Sequence, residues 1–535
     1  MEGQKKDINR IIKILILSGL LLCTAILYIY ATFGSRQRSE STGGDAFLTI
    51  QNITYSMLFL LMIGVCVYVF FLRKNKFRYE KMFLIMAVVL GFVYMLAIPL
   101  MAVPDEYLHL YTAYDISDEI MGTHADTVMM REIDVQHAYN GGDLTRNDYN
   151  QQYAEAFAHA GRSQMVDTGI TASQTPRYLY IIPAIGITIG RLLGLGTTLT
   201  YMLGRLCNLI LFLSAAYYAM KRMPFGKGIV MVWALLPITL QQVASFSYDA
   251  PLFSLCILVV GTTMSAVYGQ EKEKKTRIVN LVVMLASCIL LLPCKGFSLL
   301  PLAVFPLMGI PHIWRTHQAQ IDAWKQKIKP WMKWLAGAIA CVIVIIGVIC
   351  IARIVQDWIQ PEHINQVYIA WADEQGYTIG YFIRHPVAFI KIMLNTIWYK
   401  SDIYMKQMLG GMLGWLDIEI PFVFSLGFLL LMIYTAFRKE NEVQDIRNGQ
   451  RIWMILVCFG TSLLAVMAML LYWTPNSVEV VEGVQGRYFL PALVPGLLAI
   501  RTKKNCVSKN ADEYAAIWVV FLQILVVTAI YRNIP

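Results

Sequence analysis

Runs of about 20 apolar residues recur along nearly the whole chain, and they constrain the fold more than any other feature. Each run is long enough to cross a bilayer whose hydrocarbon core is about 30 Å thick. Of the 535 residues, 57% are hydrophobic and 15% are charged, and the mean hydropathy is +0.53. A soluble globular chain carries about 25% charged residues. The composition excludes a soluble enzyme and predicts an all-α, polytopic transmembrane protein.

The apolar runs predict about 13 membrane spans. They lie at 10–32, 49–72, 82–101, 198–219, 228–246, 250–269, 278–293, 297–314, 334–356, 420–437, 452–473, 487–500 and 514–531. The first run has no clear small-residue cleavage site after it, so we interpret it as a retained anchor rather than a signal peptide.

The net charge of +10 follows from membrane topology rather than from nucleic-acid binding. Short basic segments separate the spans, and such segments face the cytoplasm. With 13 crossings, these segments share one side and the N-terminus is cytoplasmic. A further apolar stretch at 178–193 would break this parity if it crossed, so we expect a juxtamembrane or re-entrant helix there. The predicted location is a membrane in which these basic segments face the cytoplasm, with the lipid bilayer as a partner and no nucleic acid.

The span pattern divides the chain into four parts. Residues 1–81 hold two leading helices, and residues 82–356 form a transmembrane core with a large outer loop at 102–197. Residues 357–419 form an outer segment with amphipathic helices suited to the membrane interface. Residues 420–535 contain the C-terminal helices. Outer segments of this length are usually functional rather than simple connections.

The first candidate site opens the large outer loop, where Pro104 is suited to the first turn of a helix. Asp105 and Glu106 follow it in the first turn, and His109 shares their helical face. Two carboxylates beside an imidazole are a candidate acid/base group. Acidic residues also occur routinely at helix starts, so a purely structural role is the alternative.

A second polar group precedes a span at Tyr248 and Asp249, and a third is the single cation Lys295 in a tight turn. An ionisable residue at such a junction lines a cavity or has a partner, since its burial is costly. The alternatives are a solvated turn for Asp249 and a side chain that reaches to the interface for Lys295.

Two further groups lie on the same predicted outer side. Arg384 and His385 precede an amphipathic stretch, while Gln485, Arg487 and Tyr488 enter a span on a glycine-loosened backbone. An arginine there can bind phosphate through two parallel hydrogen bonds. Taken singly, each is also typical of an interfacial anchor.

Several motifs in this order resemble a bacterial family of polytopic membrane proteins, the domain-of-unknown-function 2142 family. The resemblance runs from about Ala87 to Ile500. Its motifs are Val103–His109, Gly204-Arg205, Leu236–Asp249, Arg384-His385-Pro386, Gly414–Asp417 and Gly483–Tyr488. The layout is similar to that of the GT-C superfamily of integral-membrane glycosyltransferases, whose first large outer loop carries an acidic motif.

The resemblance implies transfer of a sugar from a polyprenyl-phosphate carrier to a cell-envelope glycan or lipid on the outer face of the bacterial cytoplasmic membrane. A direct displacement with one base would invert the anomeric centre. Asp105, with Glu106 beside it, is then the catalytic carboxylate. Arg487, Lys295 and Arg384 are candidates to bind phosphate, Asp249 to orient the donor or the base, and His109 to hold Asp105 or to contact phosphate.

No cofactor follows from the sequence, and a divalent metal between Asp105, His109 and Asp249 is a less favoured alternative because such ions prefer more oxygen ligands. Three other functions remain open. A polysaccharide polymerase or ligase would rely on Arg384, His385 and Arg487, a flippase or transporter would move lipid-linked sugars, and a non-catalytic subunit would use none of these groups.

Overall fold

A computed structural model of the chain describes most of its residues. The described residues are 2–39, 46–72, 79–311, 318 and 367–534, apart from 124, 139–143, 155, 158–162, 270–272, 441, 443–444 and 503–505. The predicted span 334–356 lies outside them, as does the first part of the predicted outer segment, 357–366.

The described part of the chain is helical, which confirms the all-α membrane class. In chain order the α-helices are α1 Glu2–Ser39, α2 Ala46–Val67, α3 Tyr79–Ala97, α4 Glu106–Ile120, α5 Glu132–Val135, α6 Arg146–Ala154, α7 Ile181–Leu192, α8 Thr197–Arg222, α9 Lys227–Ala234, α10 Pro237–Val243, α11 Asp249–Tyr268, α12 Lys274–Leu291, α13 Leu300–Ala303, α14 Ile379–Arg384, α15 Pro386–Met408, α16 Phe422–Ala436, α17 Asn448–Tyr472, α18 Leu490–Ile500 and α19 Ala511–Asn533. Short 3₁₀ turns at Arg177–Tyr180, Cys294–Phe297, Phe305–Gly309 and Gly486–Phe489 and a π-helical turn at Tyr68–Leu72 join some of them.

Four two-stranded pairings join the connecting segments. They are β1 Met129–Arg131 with β2 Met165–Asp167, β3 Tyr368–Ile369 with β4 Glu374–Gln375, β5 Met412–Leu413 with β6 Ile418–Glu419, and β7 Arg438–Lys439 with β8 Cys506–Val507. The first three pairs are antiparallel, and the fourth is parallel.

Among the described residues, seven helices are long and apolar enough to cross a membrane. They are Ile11–Phe33, Ala46–Leu72, Tyr79–Ala97, Thr197–Arg222, Asp249–Tyr268, Asn448–Tyr472 and Ala511–Asn533. Three shorter apolar helices, Leu300–Gly309, Phe422–Ala436 and Gly486–Ile500, correspond to further predicted spans.

Two predicted spans differ from a single continuous helix. The run 228–246 is divided into α9 and α10, because Leu236 adopts an extended conformation and Pro237 begins the second helix. Proline fixes its own backbone and disfavours helix in the residue before it. The run 297–314 is likewise divided into short pieces that contain Pro301 and Pro306.

The stretch at 178–193 forms part of a 3₁₀ turn and one short α-helix. Its α-helix, α7, has 12 residues and is therefore about 18 Å long, less than the bilayer core. It packs on α8 and α4, and α8 in turn packs on α11. These contacts place α4, which follows Asp105, against the centre of the helix bundle.

Charged residues lie at two ends of this bundle. At one end, which we call the basic end, Glu80 pairs with Lys227, Lys439 with Asp512, and Glu442 with Arg501. At the opposite end, which we call the site end, α3 finishes, α4 begins and the loop before α11 approaches both. The predicted cytoplasmic segments around Lys227, Lys439 and Arg501 thus meet at one end.

We predict that Gly186→Ala destabilises the protein. A Cβ at Gly186 would lie 2.4 Å from the backbone carbonyl oxygen of Leu203, so α7 would be pushed from α8 at a cost of about 1–3 kcal/mol. The measurement is the melting temperature in detergent. Gly64→Ala is the control, because a Cβ at Gly64 has nothing within 4 Å. Equal melting of both variants would contradict the α7–α8 packing.

Candidate functional site

Asp105 lies in the turn that joins α3 to α4, in a backbone conformation that is rare for its residue type. Its φ is 61° and its ψ is 11°, within the left-handed region where Asp and Asn are the commonest non-glycine residues. Its side chain is 49% exposed. Non-glycine residues in this conformation cluster at functional sites, and here the conformation presents a carboxylate outward immediately before a helix.

Glu106, the neighbour of Asp105, is fully buried and ion-paired with Arg205 of α8. Arg205 Nε donates to Glu106 Oε1 over 2.8 Å, and Arg205 Nη2 donates to Glu106 Oε2 over 2.6 Å. Both side chains are 0% exposed. The backbone N–H of Phe246 also donates to Glu106 Oε1 over 3.1 Å. The structure therefore places the Glu106 carboxylate in a buried ion pair, which favours a positioning role over the predicted catalytic one.

Arg205 extends the same contact to the end of α3. Its Nη1 and Nη2 donate to the carbonyl oxygens of Ile98 and Pro99 over 2.8 and 2.7 Å. The pair thereby connects α8, the turn before α4 and the loop before α11. The pair therefore joins the turn that carries Asp105 to the loop that leads to Asp249.

The structure brings Asp105, Asp249, Lys295 and Arg487 together, and we call them the charge cluster. Lys295 Nζ lies 2.8 Å from Asp249 Oδ1. Arg487 Nε lies 3.5 Å from Asp249 Oδ2, and Arg487 Nη2 lies 3.6 Å from Asp105 Oδ2. Asp249 and Arg487 are 3% and 7% exposed. Asp105 is thus the accessible acid of the cluster, beside a largely buried cation.

Lys295 lies in a turn whose residues have left-handed backbone conformations. Lys295, Gly296 and Phe297 have φ angles of 48°, 60° and 64°, so two of the three bear a side chain that disfavours this conformation. The ammonium lies 4.3 Å from the ring centroid of Tyr488 and 5.2 Å from that of Tyr248. Aromatic faces attract cations at these distances, so both predicted tyrosines help to place Lys295.

Gln242 is a site residue that the sequence did not single out. Arg487 Nη1 donates to its Oε1 over 3.2 Å. The other amide atom, Gln242 Nε2, is buried with no hydrogen-bond partner among the described residues, as is Gln485 Oε1. Buried polar groups normally have partners. The signal available in the sequence was a glutamine inside an apolar run, because a polar side chain in a membrane span is costly unless it has a partner.

The adjacent Gln241 has a structural role. Its Oε1 accepts from the backbone N–H of Gly414 over 2.8 Å, and its Nε2 donates to the Gly414 carbonyl oxygen over 3.0 Å. Nearby, Asp417 Oδ2 accepts from the backbone N–H of Leu144 over 3.0 Å. The Gly414–Asp417 motif therefore fastens the β5–β6 hairpin to the bundle and to the large loop.

His109 is buried behind the charge cluster. Its Nδ1 is 3.0 Å from the Tyr180 hydroxyl, and its ring contacts the Tyr248 ring edge-on at 4.9 Å. Burial lowers the pKa of His109 to about 3; the positive charges of Arg487 and Lys295 lower it too, while Asp249 opposes them. The partner that the structure gives His109 is the Tyr180 hydroxyl. A neutral imidazole retains one donor and one acceptor, so contact of His109 with Asp105 or phosphate stays a prediction.

Arg384 and His385 lie elsewhere, at the junction of α14 and α15, and both are exposed. The His385 ring contacts that of Tyr381 at 4.7 Å. Tyr381 belongs to a second apolar group with Phe382 and Phe389, apart from the main core. The cations that surround Asp249 are instead Lys295 and Arg487.

In the part of the chain that the structure describes, no three His, Cys, Asp or Glu side chains are grouped as metal ligands.

We predict that Glu106→Gln destabilises the protein by about 3–5 kcal/mol, because it leaves the Arg205 guanidinium buried without a charged partner. The measurement is the melting temperature of the purified protein in detergent. The control is Asp115→Asn, which removes an ion pair with Arg177 whose arginine side chain is 44% exposed and should cost no more than about 1 kcal/mol. Unchanged melting of Glu106→Gln would contradict a tethering role for this pair.

We predict that His109 contributes to acid sensitivity. Its folded pKa of about 3 is below the value of about 6.5 for an unfolded chain, so the unfolded state binds the proton first as the pH falls. The free energy of unfolding should therefore decrease by about 2 kcal/mol between pH 7 and pH 5. His109→Gln lacks this contribution and should lose less melting temperature over that interval. Equal losses in both proteins would refute a depressed pKa.

Comparison with known proteins gives one match. The model of the family described as predicted membrane protein (DUF2142) matches residues 88–495, a stretch that includes the whole charge cluster. No curated protein and no solved structure matches the chain. Since the family model covers more than half of the chain and agrees with the motifs found in the sequence, the chain belongs to the DUF2142 family of predicted membrane proteins.

Proposed function

We propose that the protein is a membrane-embedded glycosyltransferase that moves a sugar from a polyprenyl-phosphate carrier to a cell-envelope glycan or lipid on the outer face of a bacterial cytoplasmic membrane. The observation that carries the proposal is the charge cluster at the site end. One accessible carboxylate, Asp105, lies beside Arg487, and Arg487 and Lys295 share the buried Asp249.

The cluster has the groups that this transfer requires. A sugar phosphate brings an anion and several hydroxyl groups, and these need cations together with neutral hydrogen-bonding partners. Arg487 and Lys295 supply the cations, and they are positioned before substrate arrives, which favours stabilisation of developing charge. Gln242 Nε2 and Gln485 Oε1, a buried donor and a buried acceptor with no partner among the described residues, suit sugar hydroxyl groups.

In the reaction, Asp105 accepts the proton of the acceptor hydroxyl as that oxygen bonds to the anomeric carbon. The bond between the anomeric carbon and the phosphate oxygen breaks, and the carrier phosphate leaves with the electron pair. Lys295 and Arg487 balance its charge. A single displacement inverts the anomeric centre and requires one base. Asp249 holds both cations in place, and no step is routed through a metal.

The two carboxylates at the start of α4 then have separate tasks. Asp105 touches substrate, whereas Glu106 is a positioning residue that fixes the turn through Arg205. His109 keeps Tyr180 and Tyr248 in place as a neutral ring. A reaction based on Arg384 and His385, as in a polymerase or ligase, lacks this support because these residues do not surround Asp249.

We predict that Asp105→Asn lowers the rate of transfer by about 100-fold or more, since a positioned general base contributes about 10²–10⁴-fold. Asparagine also tolerates the left-handed conformation of this position, so the fold is retained. The measurement is transfer of radiolabelled hexose from polyprenyl-phosphate donors to a cell-envelope extract, by purified protein in vesicles.

Asp126→Asn is the matched control, because Asp126 is an exposed acid of the same large loop, and it should keep the wild-type rate. Undiminished transfer by Asp105→Asn would remove Asp105 from the mechanism. Folded wild-type protein that transfers no sugar from any donor would overturn the proposed activity and favour transport of lipid-linked sugars or a subunit role.

A further inference from the structure

The C-terminal part of helix α15 reaches the site end of the bundle, next to the turn that carries Arg487. Near its start, Lys391 Nζ lies 2.6 Å from Glu479 Oε2, and near its end, Gln407 Oε1 accepts from the backbone N–H of Gly486 over 2.8 Å. Lys391 and Gln407 are about 24 Å apart along the helix axis, at about 1.5 Å per residue. Both ends of α15 therefore contact one short loop, 479–486, which leads into Arg487.

One face of α15 is an exposed apolar stripe. The exposed fractions are 76% for Val387, 56% for Ile390, 61% for Leu394, 61% for Ile397, 83% for Trp398 and 43% for Met405. At 3.6 residues per turn, these six residues fall within an arc of about 100° around the helix axis and so share one face. The opposite face is buried at Ile392, Thr396 and Gln407.

The lysines of α15 are neutralised within the protein. Besides the Lys391–Glu479 pair, Lys400 Nζ lies 3.2 Å from Glu482 Oε1 and Lys406 Nζ lies 3.1 Å from Glu419 Oε1. These are all the basic residues of the helix. Amphipathic helices on membranes usually present Lys or Arg to anionic headgroups. Here each lysine is engaged by a carboxylate of a neighbouring segment, which leaves the apolar stripe as the outward feature.

We propose that α15 lies on the bilayer surface at the site end and is held there by its apolar stripe, independently of anionic lipids. The C-terminal part of α15 packs on the turn Gly486–Phe489, where the apolar helix α18 begins. The helix therefore lies at the depth where the chain meets the membrane. Trp398, the most exposed residue of the stripe, is of a type enriched at membrane–water interfaces. The inference does not depend on the transfer reaction.

This contact also supports Arg487. A Cβ at Gly486 would lie 2.3 Å from the Tyr404 carbonyl oxygen and 2.4 Å from the Met408 backbone nitrogen, so the loop is in direct contact with the α15 backbone. Asn395 Nδ2 donates to the Glu479 carbonyl oxygen over 3.2 Å, and Thr396 Oγ1 accepts from the Val481 N–H over 2.9 Å. The bilayer surface would thus set the level of Arg487 through α15.

Trp398 supplies the test. The chain has 12 tryptophans, so the emission spectrum of Trp398→Phe is subtracted from that of the wild type to isolate Trp398. The full-length protein is reconstituted in phosphatidylcholine vesicles with and without brominated acyl chains, which quench nearby indoles. The apolar face of an interfacial helix is buried about 5–10 Å into the headgroup and acyl boundary, so about half or more of the Trp398 signal should be lost.

The same loss is expected when half of the lipid is replaced by phosphatidylglycerol. The control subtraction uses Trp233→Phe, because Trp233 is 1% exposed inside the bundle and its signal should not be quenched. A Trp398 signal that bromine leaves unchanged would overturn the proposal and indicate that water or a protein covers the stripe. Quenching that appears only with phosphatidylglycerol would also overturn it, because the lysines would then direct the contact.

Discussion

The buried ion pair between Glu106 and Arg205 is the interaction on which the site depends. It involves two fully buried side chains, and it extends to the carbonyl oxygens of Ile98 and Pro99 and to the backbone N–H of Phe246. Burial of two charges is costly unless geometry and additional hydrogen bonds compensate. Here nearly every polar atom has a partner, so the pair gives a fixed geometry where three chain segments meet.

This pair explains how two adjacent carboxylates differ in chemistry. Glu106 is committed to Arg205 and is inaccessible, while the left-handed turn directs Asp105 to the surface beside Arg487. Environment rather than residue type assigns the roles of paired carboxylates. A partner for Glu106 at the centre of the bundle therefore leaves Asp105 as the accessible carboxylate of the two.

Local patterns predicted the helical class, because apolar runs are visible along the chain. They also singled out Asp105, Asp249, Lys295 and Arg487, which the structure groups, because charges at span ends are costly. The ion pair between Glu106 and Arg205 was not visible, since those residues are 99 positions apart and only tertiary packing joins them. Pro237 indicated a break between α9 and α10. The apolar run continues through it, so hydropathy alone predicted a single span. Arg384 and His385 resembled site residues by type, but they lie at the α14–α15 junction and make none of the contacts of the charge cluster.

Arg487 connects the charge cluster to helix α15. Its guanidinium is held from inside by Asp249 and Gln242, and its backbone is held from outside by the loop that rests on α15. The lysines of α15 pair with glutamates of that loop and of the β5–β6 hairpin, so they fasten protein to protein and leave the apolar stripe to meet the surroundings. A group that binds a lipid-linked phosphate must lie at the level of the headgroups, because the hydrocarbon of such a ligand stays in the bilayer. A surface helix held by its apolar face sets this depth for Arg487. The contact is direct because Gly486 has no side chain, so the backbone of its loop can touch the backbone of α15.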